Sequence, residues 1–378
     1  MAIKNKKNIN KDDISVLIPD GEIHVLLYVI NCLSFFKNIK VYVMSNKKKN
    51  HMKHSRFVEK FFYHPETTSK AWISAINDTA EAYDIDLIMP IYENAIRTLV
   101  ENKSNLNAPQ KLSILPNLDN LNTAGNKGLL YLFLMANQIP CPDSIIVKLD
   151  NLPDTKEFNY PLVVKPVKGG GGGLGIEIIK NKEALTNYYQ TYSFDCDTII
   201  QEFIEGYDVC CNVLCKEGEV IAYSIQKGTL FRDGILTPQI GFDFIENEAL
   251  FQSTKKLMKT LNWSGVANID WRFDKKNNVF KVIEINTRFW LGTDASAIAG
   301  VNFPYLYCLS SLGVSISMRK TESISYLSLE GLAKKIRKNP LFILKFKSVF
   351  KYSPIRFLFR DPLPMLNKIE TILRRSFS

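Results

Sequence analysis

VVKPVKGGGGGLGIEII, residues Val163 to Ile179, decides how this chain is read. A β-branched run enters, five glycines follow from Gly169 to Gly173, and Gly175 leads into a second β-branched run. The glycines at 170, 172 and 175 match a dinucleotide fingerprint in spacing, but that turn must open a helix, and here a strand follows. No Gly-Lys-Ser/Thr closes the loop, so it is not a Walker loop either. What remains is a strand, a glycine flap and a returning strand. A plain hairpin needs only two turn residues, and so many glycines forfeit chain entropy on folding. A backbone free of Cβ atoms can bring successive N–H groups against phosphate oxygens. Lys165, on the strand leading in, can add a point charge to those oxygens. Taken alone, the segment also admits a flexible surface loop.

Further along, Asn268-Ile269-Asp270 is followed by a turn and then Val282-Ile283-Glu284-Ile285-Asn286-Thr287-Arg288. Glu284 and Asn286 lie two apart, so on a strand both point to one face. A hairpin closing around Lys276 puts Asp270 on the neighbouring strand within diagonal reach. Two carboxylates and an amide oxygen make a hard oxygen cluster of the kind that holds magnesium while leaving positions for water and phosphate. Arg288 then points the same way, toward charge developing on a transferred group. The competing reading is the solvated polar face of an edge hairpin. Between the two signals, residues 198–206 run from an apolar strand into a mixed polar segment, unremarkable alone.

Residues 1–115 alternate strand and helix: strands at 14–18, 39–44, 85–91 and 112–115, helices at 22–37, 67–83 and 93–103. Short connections between them argue for a parallel sheet with helices on its faces, and a ligand site beyond the strand carboxyl ends near Asp20 and Glu93. Both residues can equally cap the next helix. One more helix is expected at 123–137. From 144 to 286 strands dominate as hairpins (162–165 with 175–179, 208–215 with 219–226, 267–273 with 279–286), with helices at 182–191 and 247–261. That is antiparallel α+β architecture.

Composition excludes several classes. The chain has 378 residues, 46% hydrophobic and 23% charged, so it is globular and long enough for two or three domains. Its net charge of +10 resides in one place: from Arg319 onward there are 14 basic and 4 acidic residues, and the remainder balances at 34 each. The bulk is therefore not a basic nucleic-acid binder. Seven cysteines form no Cys-x-x-Cys pair and read as core thiols of a reducing compartment. The four histidines lack zinc-site spacing. Neither a secretory leader nor a spanning segment is expected.

In this order the pieces resemble the ATP-grasp superfamily, most closely its carbamoyl-phosphate-synthetase-like and biotin-carboxylase-like branch. The resemblance covers residues 14–307, about four-fifths of the chain. It rests on Asn126-Lys127, Gln138-Ile139-Pro140-Cys141-Pro142, Val164-Lys165-Pro166 with the glycine loop, Gln201-Glu202-Phe203-Ile204-Glu205-Gly206 and Glu284-Ile285-Asn286-Thr287-Arg288-Phe289-Trp290. It implies α/β plus α+β architecture: a parallel-sheet pre-ATP domain (1–120), two α+β subdomains that grip ATP (121–205 and 206–317), and a basic helical tail (318–378). Carried over, it implies that Lys127 and Lys165 contact ATP phosphates under a flap of Gly169, Gly170, Gly171, Gly172, Gly173 and Gly175. Glu202, Phe203 and Ile204 would frame the adenine, Glu205 or Asp208 the ribose, and Lys227 would be a further phosphate contact or a solvated strand lysine. Asp270, Glu284 and Asn286 would hold Mg2+, with Mn2+ as an alternative, and Arg288 and Lys165 would act in catalysis. Asp270 stands where glutamate is usual and is one methylene shorter, and Asn126 stands where aspartate is common.

The reaction implied is ADP-forming ligation of a carboxylate to an amine through an acyl phosphate, in the cytoplasm, with small-molecule partners, no nucleic acid and room for a homodimer. Carboxyphosphate chemistry and a non-catalytic nucleotide-binding module are the alternatives. The acceptor loops offer Arg232, Asp233, Gln239, Asp243, Trp290 and Asp294. The tail interleaves Lys and Arg with Leu, Ile and Phe over 334–359, which suits either a helical pair packed on the body or a peripheral contact with an anionic membrane.

Overall fold

Three sheets organise the chain, seen in a computed structural model that describes residues 13–65, 68–149, 151, 159–169, 175–192, 195–233, 237–318 and 321–377. The first is built from β1 (Ile14–Ile18), β2 (Ile39–Ser45), β3 (Val58–Tyr63) and β4 (Leu87–Ile88), all parallel in the order β3-β2-β1-β4. Helices α1 (Leu26–Leu33), α2 (Ser69–Ala82) and α3 (Glu93–Glu101) connect and cover it. Every residue of β1 is buried, as a strand covered on both faces requires. Val16 and Ile18 join one apolar cluster with α1, and Leu17 joins another with α2 and α3, the period-two division of a strand. At the carboxyl edge the Asp20 carboxylate accepts the N–H groups of Ile91 (3.1 Å) and Tyr92 (2.9 Å), tying the turns after β1 and β4 together.

Two expectations for this region change. Residues 58–63, VEKFFY, form an edge strand that no alternation announces, because both its faces stay partly exposed. Residues 112–115 contribute only one bridge, Ile88 to Leu112, instead of a strand.

The helix expected over 123–137 is two helices, α4 (Leu118–Gly125) and α5 (Lys127–Ala136). Asn126 between them is extended, and its Oδ1 accepts the N–H groups of Gly128 (2.9 Å) and Leu129 (3.0 Å). The asparagine thus makes the N-cap that an aspartate would make, and Lys127 becomes the first residue of α5. Asn126→Ala is expected to cost about 1 kcal/mol of stability, measured by urea unfolding; an unchanged midpoint would show the cap to be idle.

β5 (Ser144–Val147), β6 (Leu162–Pro166), β7 (Glu177–Ile179) and β8 (Thr198–Glu202) form an antiparallel sheet, β5-β8-β6-β7, backed by α6 (Lys182–Thr191). The largest sheet, β13-β12-β9-β10-β11-β14, uses β9 (Gly206–Lys216), β10 (Glu219–Phe231), β11 (Gln239–Ile245), β12 (Gly265–Asp274), β13 (Val279–Asn286) and β14 (Ser325–Leu327). Its apolar face puts Val209, Cys211, Ile269 and Trp271 against α4, α5 and α7 (Glu248–Thr260). Cys210, Asn212, Asn268 and Asp270 alternate with them on the other face. There a buried amide ladder crosses four strands. Asn286 donates to Asn268 (3.0 Å), Asn268 to Asn212 (2.8 Å), and Asn212 to Ser224 and Gln226 (3.2 Å each).

After α8 (Thr293–Ile298) and α9 (Phe303–Ser311), the C-terminal region is more than a helical pair. It gives β14 to the large sheet, then α10 (Leu329–Lys338), α11 (Phe346–Lys351), α12 (Ile355–Arg360) and α13 (Pro362–Phe377). It packs on the body: the Ser55 hydroxyl and the Arg56 N–H donate to Asp361, and Arg360 donates to the Ser34 carbonyl. All seven cysteines are free and six are buried. Among the described residues no helix is long and apolar enough to cross a membrane.

Candidate nucleotide and metal site

The site lies where β6, the start of α5 and the hairpin β12–β13 meet. Lys165, the fourth residue of β6, is 3% exposed. Gly169 opens the glycine loop at φ +72° and Gly175 closes it at φ +70°, conformations that favour glycine. A Cβ on Gly175 would also press on Pro166 and the Tyr192 hydroxyl at 3.3 Å. Gly170, Gly171, Gly172 and Gly173 lie outside the described residues.

Across from the loop, Asp270 of β12 and Glu284 of β13 stand directly opposite in register, with Asn268 opposite Asn286. The diagonal placement expected from a simple hairpin is corrected by a register shift between Asp270 and Trp271. Asn286 Nδ2 lies 3.2 Å from Asp270 Oδ2, and its Oδ1 accepts from Arg288 Nη2 at 3.3 Å. The three oxygen-bearing side chains are therefore contiguous, with the guanidinium at their edge.

Lys127 joins the halves. Its Nζ donates to the Gly169 carbonyl at 3.0 Å and lies 3.3 Å from Glu284 Oε2. One ammonium thus touches both the mouth of the glycine loop and the carboxylate strand, and its own N–H is held by the Val167 carbonyl at 2.9 Å. The two elements face one space.

Burial pulls the Lys165 ammonium down to about 8, although Glu284 and Asp270 oppose the shift. Burial also works against the Glu284 charge, yet Lys127 and Lys165 hold its carboxyl below the ordinary value. Asp270, buried and facing Glu284, is pushed up to about 7. The proton of this pair therefore belongs to Asp270, beside an ionised Glu284, and a divalent cation would displace it. Among the described residues no cluster of three or more His, Cys, Asp or Glu side chains gathers to hold a metal. Two opposed carboxylates and one amide suit a hard cation that keeps water and phosphate oxygens as its other ligands. These residues fit Mg2+.

Around the site, Arg288 is held by neighbours from the first sheet. Its Nε is buried without a hydrogen bond and lies 3.6 Å from Glu93 Oε1, and its guanidinium sits 5.0 Å above the Tyr92 ring. The expectation of a site at the carboxyl edge near Asp20 and Glu93 is met differently by the two. Glu93 reaches Arg288, whereas Asp20 is a buried tie between turns.

In the segment expected to frame the adenine, Glu202 is paired with Lys281 (2.5 Å) and accepts the Asp143 N–H (3.1 Å). Asp208 is paired with Arg272 (2.5 Å), which also donates to the Ile204 carbonyl (2.6 Å) and lies over Phe203. These pairs hold the 202–208 segment against the sheet, and the Glu205 side chain is exposed. Lys227 stands on the other face of the large sheet from the carboxylates. Gln226 meets Asn212 on the polar face, so the next residue points to the other side, where the Lys227 ammonium sits 4.0 Å over Tyr207. It does not face the carboxylates.

The acceptor loop also differs from expectation. Arg232 is bound bidentately by Glu330 at 2.6 Å, and Asp233 pairs with Lys334 at 2.7 Å, both partners lying on α10. Asp294 is wholly buried between Asn31 (3.1 Å) and the Tyr326 hydroxyl (3.4 Å), and Trp290 is buried in the apolar core. The sequence reading missed Cys210, whose Sγ lies 2.9 Å from Asp270 Oδ1 and 3.7 Å from Gln239 Nε2; only cross-strand register reveals it.

Burial, first of all, pushes the Asp294 carboxyl up to about 7 against its hydrogen bonds. The folded chain then keeps a proton that the unfolded chain releases near the ordinary aspartate value. That contribution is complete below about pH 4 and is lost as pH rises through about 7. Asp294→Asn should flatten urea midpoints between pH 5 and 8, and an unchanged slope would reject this assignment.

Residues 124–292 of the chain match the model of the ATP-grasp domain family. Among curated relatives, the chain is 26% identical over 228 residues to a D-alanine–D-alanine ligase of Carboxydothermus hydrogenoformans, covering 53% of this chain and 68% of the ligase. It is 26% identical over 157 residues to a carbamoyl-phosphate synthase of Methanobrevibacter smithii, 40% of this chain and 42% of that one. The chain spans 42% and 68% of the lengths of these two curated relatives. Among solved structures, N5-carboxyaminoimidazole synthetase of Staphylococcus aureus in complex with ADP superposes with a TM-score of 0.66 at 15% identity, over 89% of both chains. An L-amino acid ligase of Bacillus licheniformis gives 0.59 at 19% identity, over 80% of this chain and 74% of the ligase. At those identities the likeness is one of fold.

Proposed function

We propose that the chain is an ATP-dependent, ADP-forming ligase that activates a carboxylate as an acyl phosphate and joins it to an amine. The observation that carries this reading is Lys127, whose ammonium spans the Gly169 carbonyl and the Glu284 carboxylate. Asp270, Glu284 and Asn286 would hold Mg2+, which when bound supplies neutralisation of phosphate charge and alignment of the transferring group. Lys127 and Lys165 would exchange their carboxylate partners for phosphate oxygens as nucleotide arrives. Gly169 and Gly175, at the two ends of the glycine loop, would bring backbone close to those oxygens. Arg288 would orient the attacking carboxylate and then steady the charge of the acyl phosphate. Glu202 to Asp208 would frame the nucleoside, with the Ile204 N–H and the Glu202 carbonyl on the base.

The domain division proposed is 1–120, 121–205, 206–317 and 318–378. The enzyme would work in the cytoplasm on small molecules, with the basic tail toward the inner face of the membrane, and light scattering would settle whether it is a homodimer. A screen for ADP release across pairs of amino acids and sugar acids tests the activity. ADP release only with a matched carboxylate and amine is expected. Bicarbonate-dependent release without an amine would shift the reading to carboxyphosphate chemistry, and no ATP binding by calorimetry with Mg2+ present would end it.

A further inference from the structure

We propose that the C-terminal region from α10 onward is a docking surface for an anionic lipid bilayer. Its apolar side chains face outward in compact sets. Leu341, Ile343 and Leu344, on one 3-10 turn (Pro340–Leu344), are 70%, 54% and 75% exposed. Phe359 is 67% exposed, and Leu363 and Leu366 of α13 are about half exposed, three residues apart on one helical face. The inner faces are already satisfied, since Phe357 and Met365 are each 1% exposed. The outward residues are thus surplus to the core, and exposed apolar surface of this kind marks a contact.

Charge selects the partner. From Arg319 onward basic residues outnumber acidic ones 14 to 4. Two of the four acids are turned inward, Glu330 onto Arg232 and Asp361 onto Ser55 and Arg56, and two of the bases are likewise engaged, Arg360 on the Ser34 carbonyl and Lys334 on Asp233, so the surplus of cations stands. A second copy meeting this face across a two-fold axis would set like charge against like. A nucleic acid would use the cations and leave the leucines in water. An anionic bilayer takes both, with headgroups for the cations and the acyl boundary for Leu341, Leu344 and Phe359. The pairs Arg232–Glu330 and Lys334–Asp233 tie α10 to the end of the β10–β11 hairpin.

This inference is independent of the ligase reading, because its test reads lipid binding and not ADP. The full chain is sedimented with phosphatidylcholine vesicles carrying phosphatidylglycerol and with phosphatidylcholine alone. It should pellet with the first only, and high salt should release it. Leu341→Glu with Leu344→Glu should weaken binding at least about tenfold, with melting temperature and ADP release unchanged. Lys345→Glu with Lys347→Glu should weaken it by about twenty-five-fold or more, because two cations are lost and each near the surface contributes roughly fivefold. Failure of the unsubstituted chain to pellet with anionic vesicles overturns the proposal. So does equal pelleting with neutral ones, or variants that bind as well as the parent.

Discussion

Glu284→Gln is expected to lower substrate-dependent ADP release by about a thousandfold or more while the fold survives. The side chain keeps its size but loses its charge, and three interactions depend on that charge. It stands opposite Asp270, it lies 3.3 Å from the Lys127 ammonium, and it offsets the buried Lys165. A divalent cation placed here would lose one of two anionic ligands, and metal stabilisation of a transferring phosphoryl group accounts for several kcal/mol. Removing the Glu284 charge also removes one force that holds the Asp270 carboxyl high, so that carboxyl should titrate lower in the variant. Titration of Mn2+ binding by electron paramagnetic resonance gives a readout separate from turnover. Parental turnover, or parental Mn2+ affinity, would remove Glu284 from the metal set.

Lys165→Met should cost about a hundredfold to a thousandfold in turnover, the range for deleting one preorganised group that stabilises developing charge. Met fills similar space at a position 3% exposed and leaves no buried ammonium to solvate, so thermal stability should hold or rise. The pH dependence carries a sign. Burial leaves the free enzyme's ammonium near 8, so it is charged below that value and loses its proton above it. ATP affinity of the parent should therefore fall as pH rises through about 8, and the Met variant should lack that step. A parent with flat affinity across this range would show that Lys165 does not meet phosphate as a cation.

Much of this site could be read along the chain because its signals are local. Lys165, Gly169 and Gly175 lie within eleven residues, and the loop's chemistry follows from backbone freedom near a charge. Glu284 and Asn286 share a face because side chains on a strand alternate. The first sheet was equally legible, since a strand buried on both faces, such as 14–18, is a continuous apolar run. Where the local signal was weak the reading failed. The edge strand 58–63 has no clean alternation, and the helix over 123–137 hides the break at Asn126, which nonetheless places Lys127.

Tertiary structure made the remaining choices. Lys127 and Glu284 are 157 positions apart, and no periodicity couples them; their 3.3 Å contact exists because Val167 holds the start of α5 beside the glycine loop. A register shift of one residue set Asp270 opposite Glu284 instead of diagonal to it. The same parity turned Lys227 to the far face, and Arg232 and Asp233 pair with α10. Composition and spacing settle which chemistry a segment can support, because those depend on neighbours along the backbone. Which charges meet depends on sheet register and domain packing, where a shift of one position reverses every side chain.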